Sequence, residues 1–264
     1  MKIGFIGMGN MGYAMLKGVL NVFSKEDLVF ADSNRSRAIQ VSQETGVQYV
    51  ESNAECANSA KYLILAVKPQ YYTQVLKNIE NIVRPEHVII SIAPGITIDY
   101  LHNALGTDKR IVRAMPNTPA LLGCGMTGIS FDAKMFEFSE QEIIEKIFSS
   151  FGKFRVVEER YMSAVTCVSG SSPAYVYMFI EALADGAVKY GIPREAAYEM
   201  AAQAVMGSAK MVLETKEHPG KLKDQVCSPA GTTIAGVAAL EEYGFRNAVL
   251  KATDACYSKA EHMN

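Results

Sequence analysis

The sequence predicts an α/β protein in which an open, mostly parallel sheet with helices on both faces is followed by an all-helical domain. Three observations predict it. Over residues 1–160, short continuous apolar runs alternate with stretches of helical periodicity. A glycine-rich turn lies between the first run and the first helix. After about residue 160 the strand patterns stop and alanine-rich helical patterns take over. The predicted division is a dinucleotide-binding domain over 1–160 and a helical domain over 161–264.

The elements follow in order. Strands are expected at 2–6, 28–32, 47–50, 62–67, 87–92 and 110–114, several as unbroken apolar runs of the kind buried on both faces of a parallel sheet. Helices are expected between them at 11–22, 35–45, 71–82 and 98–104. Two further strands, near 126–131 and 155–158, flank a helix at 139–151. Ser172-Pro173 reads as an N-cap followed by proline at the first helical position. The helix that follows carries Val176, Phe179, Ile180, Leu183 and Ala187 on one face and is closed by Gly191. Pro193 opens another helix running to about Thr215. A break at Pro219-Gly220, a short helix and a turn at 228–231 come next. Helices at 232–242 and 245–262, separated by Gly244, complete the chain. About 100 residues rich in alanine struggle to bury a full core alone, so two copies are expected to interlock there as a homodimer, the alternative being a monomeric helical bundle packed on the sheet domain.

Bulk properties exclude several classes. A formal net charge of -2 provides no basic surface, so nucleic acid is not an expected partner. No apolar run approaches the ~20 residues of a membrane span. The chain enters a strand directly at Lys2-Ile3-Gly4-Phe5-Ile6 with no leader pattern, and the expected location is the cytoplasm. The five cysteines form no CxxC pair and read as free thiols. His87, His102, His218 and His262 lack metal-ligand spacing, so no metal is expected.

Gly7-Met8-Gly9-Asn10-Met11-Gly12 is a GxGxxG run placed directly after a strand and at the start of a helix, the context that makes it a Rossmann-like dinucleotide loop. Gly7 permits the tight turn, Gly9 admits the pyrophosphate, and Gly12 lets the helix pack closely on the strand. The helix N-terminus offers free N–H groups to the phosphates. Two signals at the end of the second strand conflict. Asp32, 20 residues after Gly12, suits the ribose hydroxyls of NAD(H). Arg35, with Ser33, Asn34 and Ser36, suits the extra phosphate of NADP(H), and Asp32 can instead turn away as a helix N-cap. The reading leans to NADP(H), with NAD(H) the alternative. Ala66, Val67, Lys68 and Pro69 follow the fourth strand and Ala93 the fifth, all at the carboxyl edge where ligands bind in this architecture. Lys68 suits a cofactor phosphate or hydroxyl, or is a solvated loop lysine. Asn117, in the rigid turn Met115-Pro116-Asn117-Thr118-Pro119, is placed near the nicotinamide carboxamide or is part of a stiff connection. Asn53 completes the expected cofactor-binding set.

Together with the GxGxxG run, the blocks AVKPQ at 66–70, SIAPG at 91–95, RAMPNTPA at 113–120, SGSSPAYVY at 169–177, EHPGKLKD at 217–224 and CSPAGTTIAG at 227–236 resemble the pyrroline-5-carboxylate reductase family over essentially the whole chain. The resemblance implies reduction of the cyclic imine 1-pyrroline-5-carboxylate to L-proline with NADPH or NADH, the last step of proline biosynthesis. It implies a Rossmann-like domain plus a helical dimerisation domain, with dimers often assembled into larger rings. It further implies that the sheet domain of one chain faces the 228–233 loop of the other. One departure stands out: the family block reads SPGG, and Ala230 replaces the first of those glycines. If that position needs φ > 0, alanine costs roughly 1–2 kcal/mol.

Imine reduction needs the ring nitrogen protonated or hydrogen-bonded and its carbon held against the nicotinamide. Thr233 is similar to the family's threonine that hydrogen-bonds the ring nitrogen and is the expected catalytic residue. Ser228 and the N–H groups of Gly231, Thr232 and Thr233 lie at a helix N-terminus, a ready site for the substrate carboxylate. Helix capping is the alternative role for the two threonines. A β-hydroxyacid dehydrogenase would need a lysine on the first helix after the sheet domain, and 169–185 has none. A dinucleotide-binding scaffold without turnover would have no use for a carboxylate site.

Overall fold

The computed structural model describes residues 2–262. Among them, eight strands form one sheet: β1 (Ile3–Ile6), β2 (Leu28–Ala31), β3 (Gln48–Tyr49), β4 (Tyr62–Leu65), β5 (Val88–Ser91), β6 (Arg110–Met115), β7 (Gly125–Ser130) and β8 (Gly152–Val156). Their order is β3-β2-β1-β4-β5-β6-β7-β8. The first six are parallel, β7 is antiparallel to β6, and β8 is parallel to β7. Every residue of β1, β2, β4 and β5 is buried, which is why these strands read as unbroken apolar runs.

Six helices cover the sheet: α1 (Asn10–Val19), α2 (Arg35–Thr45), α3 (Asn53–Ser59), α4 (Tyr72–Ile79), α5 (Ile98–Leu105) and α6 (Phe138–Ser149). Met15, Val41 and Phe148 from α1, α2 and α6 share one apolar layer with Phe5 and Phe30 of the sheet. Cys56, Leu76 and Leu101 from α3, α4 and α5 form the opposite layer with Leu63 and Ile89. The chain order reverses between β1 and β4, which makes their carboxyl ends the switch point where such sheets bind ligands.

Two expectations in the sheet region need correction. The last strand is Gly152–Val156 rather than 155–158, because Gly152 lies opposite Gly125, closer than any Cβ would allow. Helix α3 was not anticipated. Its signal is a Ser-x-x-Glu box, in which Ser52 accepts the Glu55 N–H at 3.1 Å and Glu55 reaches back to the Glu51 N–H at 3.2 Å. The helix start expected at Ser172-Pro173 is found to within one residue, Ser172 being the first helical residue and Pro173 the second. Helix α7 (Met162–Val165) passes through a wide π turn at Thr166–Gly170 into α8 (Ser172–Lys189). Proline at 173 cannot donate to the carbonyl four residues earlier, and that Ser169 carbonyl instead accepts the Asn117 Nδ2–H at 2.9 Å.

The described chain divides into two compact units, one ending at Ser171 and resuming at Cys256, the other spanning 172–255. The second unit holds α8, α9 (Arg194–Thr215), α10 (Pro219–Val226), α11 (Thr232–Glu242) and most of α12 (Phe245–Glu261). Gly191 and Gly244, both at positive φ, end α8 and separate α11 from α12. Pro219-Gly220 is the first turn of α10 rather than a break before it, with the Gly220 N–H donating to His218 Nδ1 at 3.1 Å. The buried apolar residues of this unit are the small Ala184, Ala197 and Ala201, while Tyr177, Met178, Met200 and Leu250 are more than half exposed. A helical unit with that distribution has its large apolar groups still to cover.

Candidate active site

The glycine loop leaves β1 at the switch point. Gly7 holds φ at +100°, and a Cβ there would come within 2.7 Å of the Ala66 carbonyl oxygen. A Cβ on Gly12 would lie 2.2 Å from the Gly7 carbonyl oxygen. These two glycines are demanded by the fold. Gly9 differs, since a Cβ there meets no atom within 4 Å. It is the N-cap of α1 and supplies no side-chain cap, so the first-turn N–H groups remain available to an anion.

A cleft of about 400 Å³ opens beside this loop. Of the expected cofactor residues it is lined by Gly7, Gly9, Ser33, Asn53, Ala66, Val67 and Lys68. Tyr71, Gln74 and Asn78 also line it, and sequence reasoning missed them. Their spacing of three and four, from the N-cap of α4 along the helix, was the available signal. Asn10, Met11, Gly12, Asn34, Arg35 and Pro69 are not among its lining residues. Met8 buries its side chain completely in the core, so only its peptide can face a ligand. Ala93 is also buried in the core. Asn117 is 8% exposed and spends both ends of its amide within the protein, on the Ser169 carbonyl and on the Met126 N–H at 2.9 Å each. That is the stiff connection rather than a free carboxamide partner.

The conflict after β2 acquires a geometry. Asp32 accepts the Met8 N–H at 2.6 Å through one carboxylate oxygen and the Asn34 N–H at 2.7 Å through the other. It is not the N-cap of α2. Asn34 is, accepting the Arg37 N–H at 3.1 Å. Arg35 reaches only Glu51, at 3.7 Å, with both side chains well exposed. Such a surface pair is worth little and leaves the guanidinium free to swing to another anion.

In the helical unit, Ser228, Pro229, Ala230 and Gly231 make a tight turn closed by the Gly231 N–H donating to the Ser228 carbonyl at 3.0 Å. Ala230 holds φ at +58°, so this position does need the left-handed region and alanine carries the strain. A Cβ on Gly231 would lie 2.3 Å from Ser228 Oγ. Gly231 is the N-cap of α11 and makes no side-chain cap bond, which places Thr232 and Thr233 at the first two helical positions rather than in the capping role. Ser228 and Thr232 are exposed and Thr233 is half-buried. Ala230→Gly should raise stability by roughly 0.5–1 kcal/mol, the strain relieved less the added chain entropy of glycine. The urea midpoint should rise with an unchanged slope, and a lower midpoint would contradict the strain.

The comparisons with known proteins follow the same division. A family model described as pyrroline-5-carboxylate reductase dimerisation matches residues 159–263, and one described as NADP oxidoreductase coenzyme F420-dependent matches 2–95. The chain is 48% identical over 266 residues to the pyrroline-5-carboxylate reductase of Escherichia coli, covering 100% of this chain and 98% of that protein. The chain belongs to the pyrroline-5-carboxylate reductase family. A relative from Synechocystis is 41% identical over 99% of this chain and 98% of its own length. The crystal structure of the Plasmodium falciparum pyrroline carboxylate reductase, solved with NADP bound, superposes with a TM-score of 0.89 at 34% identity, covering 99% and 97% of the two chains. As a member of this family the chain is an NAD(P)H-dependent oxidoreductase that forms homo-oligomers.

Proposed function

We propose that the chain reduces 1-pyrroline-5-carboxylate to L-proline, with NADPH preferred to NADH, as the last step of proline biosynthesis. The observation that carries this reading is the uncapped N-terminus of α11, with Thr233 in its first turn and Ser228 folded against Gly231. The N–H groups of Gly231, Thr232 and Thr233, with the Ser228 hydroxyl, hold the substrate carboxylate. Thr233 Oγ1 donates to the ring nitrogen, where charge would otherwise develop as the C=N bond is reduced. The nicotinamide, when bound, supplies the hydride. Gly7, Gly9, Ser33, Asn53, Ala66, Val67 and Lys68 would hold the dinucleotide in the cleft they line, and the first-turn N–H groups of Asn10, Met11 and Gly12 would meet its pyrophosphate. In this reading residues 1–160 carry the cofactor, and 161–264 carry the substrate loop and the dimer contact, consistent with the dimerisation match over 159–263. Dimers further assemble into a ring, and the enzyme works in the cytoplasm. Among the described residues no helix is long and apolar enough to cross a membrane.

Steady-state turnover of pyrroline-5-carboxylate with NADPH and NADH in parallel tests the assignment, and turnover with neither would end it. Arg35, with Ser33 and Asn34 beside it, reads the 2′-phosphate in this account. Arg35→Ala should therefore raise KM for NADPH by ~10-fold or more, since a charge-assisted contact is worth roughly 1.5–3 kcal/mol. KM for NADH should stay nearly constant, and equal effects on the two cofactors would remove Arg35 from that role.

A further inference from the structure

The peptide of Met8, at the centre of the glycine loop, is gripped from both sides by residues that follow β2. Its N–H donates to Asp32 at 2.6 Å, and its carbonyl accepts from Arg37 Nε at 2.9 Å. Arg37 is half-buried, and its guanidinium is held 4.7 Å over the ring of Tyr13, one turn along α1 from the loop. The other Asp32 oxygen is held by the Asn34 N–H. Each carboxylate oxygen thus accepts a backbone N–H that fixes the direction of the group at the rim of the cleft, while keeping a further lone pair. Met8 itself offers the loop no anchor but its core side chain, so its peptide plane is set by these two charged hydrogen bonds, the strong class.

We infer that Asp32 and Arg37 are positioning residues that clamp the Met8 peptide and so pre-set the glycine loop for the pyrophosphate. The inference rests on the dinucleotide reading of the loop. It separates Arg37 from Arg35: a residue that reads the 2′-phosphate affects NADPH alone, a ribose-diol acceptor affects mainly NADH, and a loop clamp affects both by one common factor. Preorganisation of this kind acts on affinity without touching the ligand.

The test uses the full-length chain, which has no tryptophan, and reads binding from the fluorescence of NADPH and NADH themselves. Arg37→Met keeps the length of the side chain and removes its donors. It should raise Kd for both cofactors by the same factor, roughly 10-fold or more for one charged hydrogen bond lost. Arg37→Lys, which keeps a donor, should restore most of the affinity, and Asp32→Asn should again weaken both cofactors alike. Without cofactor, amide hydrogen exchange across Met8–Asn10 should quicken about tenfold in Arg37→Met and recover in Arg37→Lys. Loss confined to NADPH would make Arg37 a phosphate reader. Loss confined to NADH in Asp32→Asn would make Asp32 a ribose ligand. Unchanged affinities would make the clamp idle. Each of these overturns the inference, and a wild-type chain that binds neither cofactor overturns the dinucleotide reading together with it.

Discussion

Thr233→Ala should lower kcat by ~10- to 100-fold, because in the proposed mechanism its hydroxyl donates to the imine nitrogen as charge develops there in the transition state. The physical basis is positional. Thr233 is the second residue of α11, after a turn locked by the Ser228 carbonyl and strained at Ala230, so its hydroxyl is carried on a rigid helix start. Loss of a donor used only in the transition state lowers kcat and kcat/KM together. Affinity for NADPH should stay constant, since the cofactor cleft lies in the other compact unit. Thr233→Ser should recover much of the rate, because the hydroxyl returns and only a methyl is missing. An alanine variant with full kcat and a lower melting temperature would reduce Thr233 to a structural residue.

The second large effect concerns assembly. The helical unit buries alanines and leaves Tyr177, Met178, Met200 and Leu250 mostly exposed, and the family match over it is to a dimerisation region. If the active site is shared between chains, two dead variants should complement each other. Gly9→Phe is a suitable first variant. Its φ of −67° accepts any residue and its Cβ meets nothing within 4 Å, so the fold tolerates the ring while the ring fills the cleft. Gly7 or Gly12 would not serve, because a Cβ at either collides with backbone. The second variant is Thr233→Ala. Co-refolded in equal amounts, random pairing makes about half the dimers mixed, and one of the two sites in each mixed dimer is intact. Activity should return to roughly a quarter of wild type. No recovery would mean that each chain builds its own site.

The parts of the fold that depend on local pattern were legible. Strands β1, β2, β4 and β5 are continuous apolar runs because both their faces are buried, and the glycine loop is recognisable because Gly7 and Gly12 leave no room for a side chain. What depends on distant partners was not. The Asn117 amide, 52 residues before the Ser169 carbonyl it occupies, is tied to the π turn ahead of α8 by a pairing that no local pattern shows. Strand β8 alternates weakly and is half exposed, so its register was set by Gly152 against Gly125 rather than by its own pattern. Asp32 sits where a ribose acceptor is expected, yet its direction is fixed by a peptide 24 residues upstream. The turn at 228–231 was the reverse case, since the replaced glycine itself announced a positive φ.

The central claim is hydride transfer to the imine carbon, and an isotope reads it directly. The enzyme is given 1-pyrroline-5-carboxylate and NADPH deuterated at the transferable position. The account predicts L-proline one mass unit heavier, with the label on the ring carbon bonded to nitrogen and remote from the carboxylate. Proline without that label, or no proline at all, would contradict it.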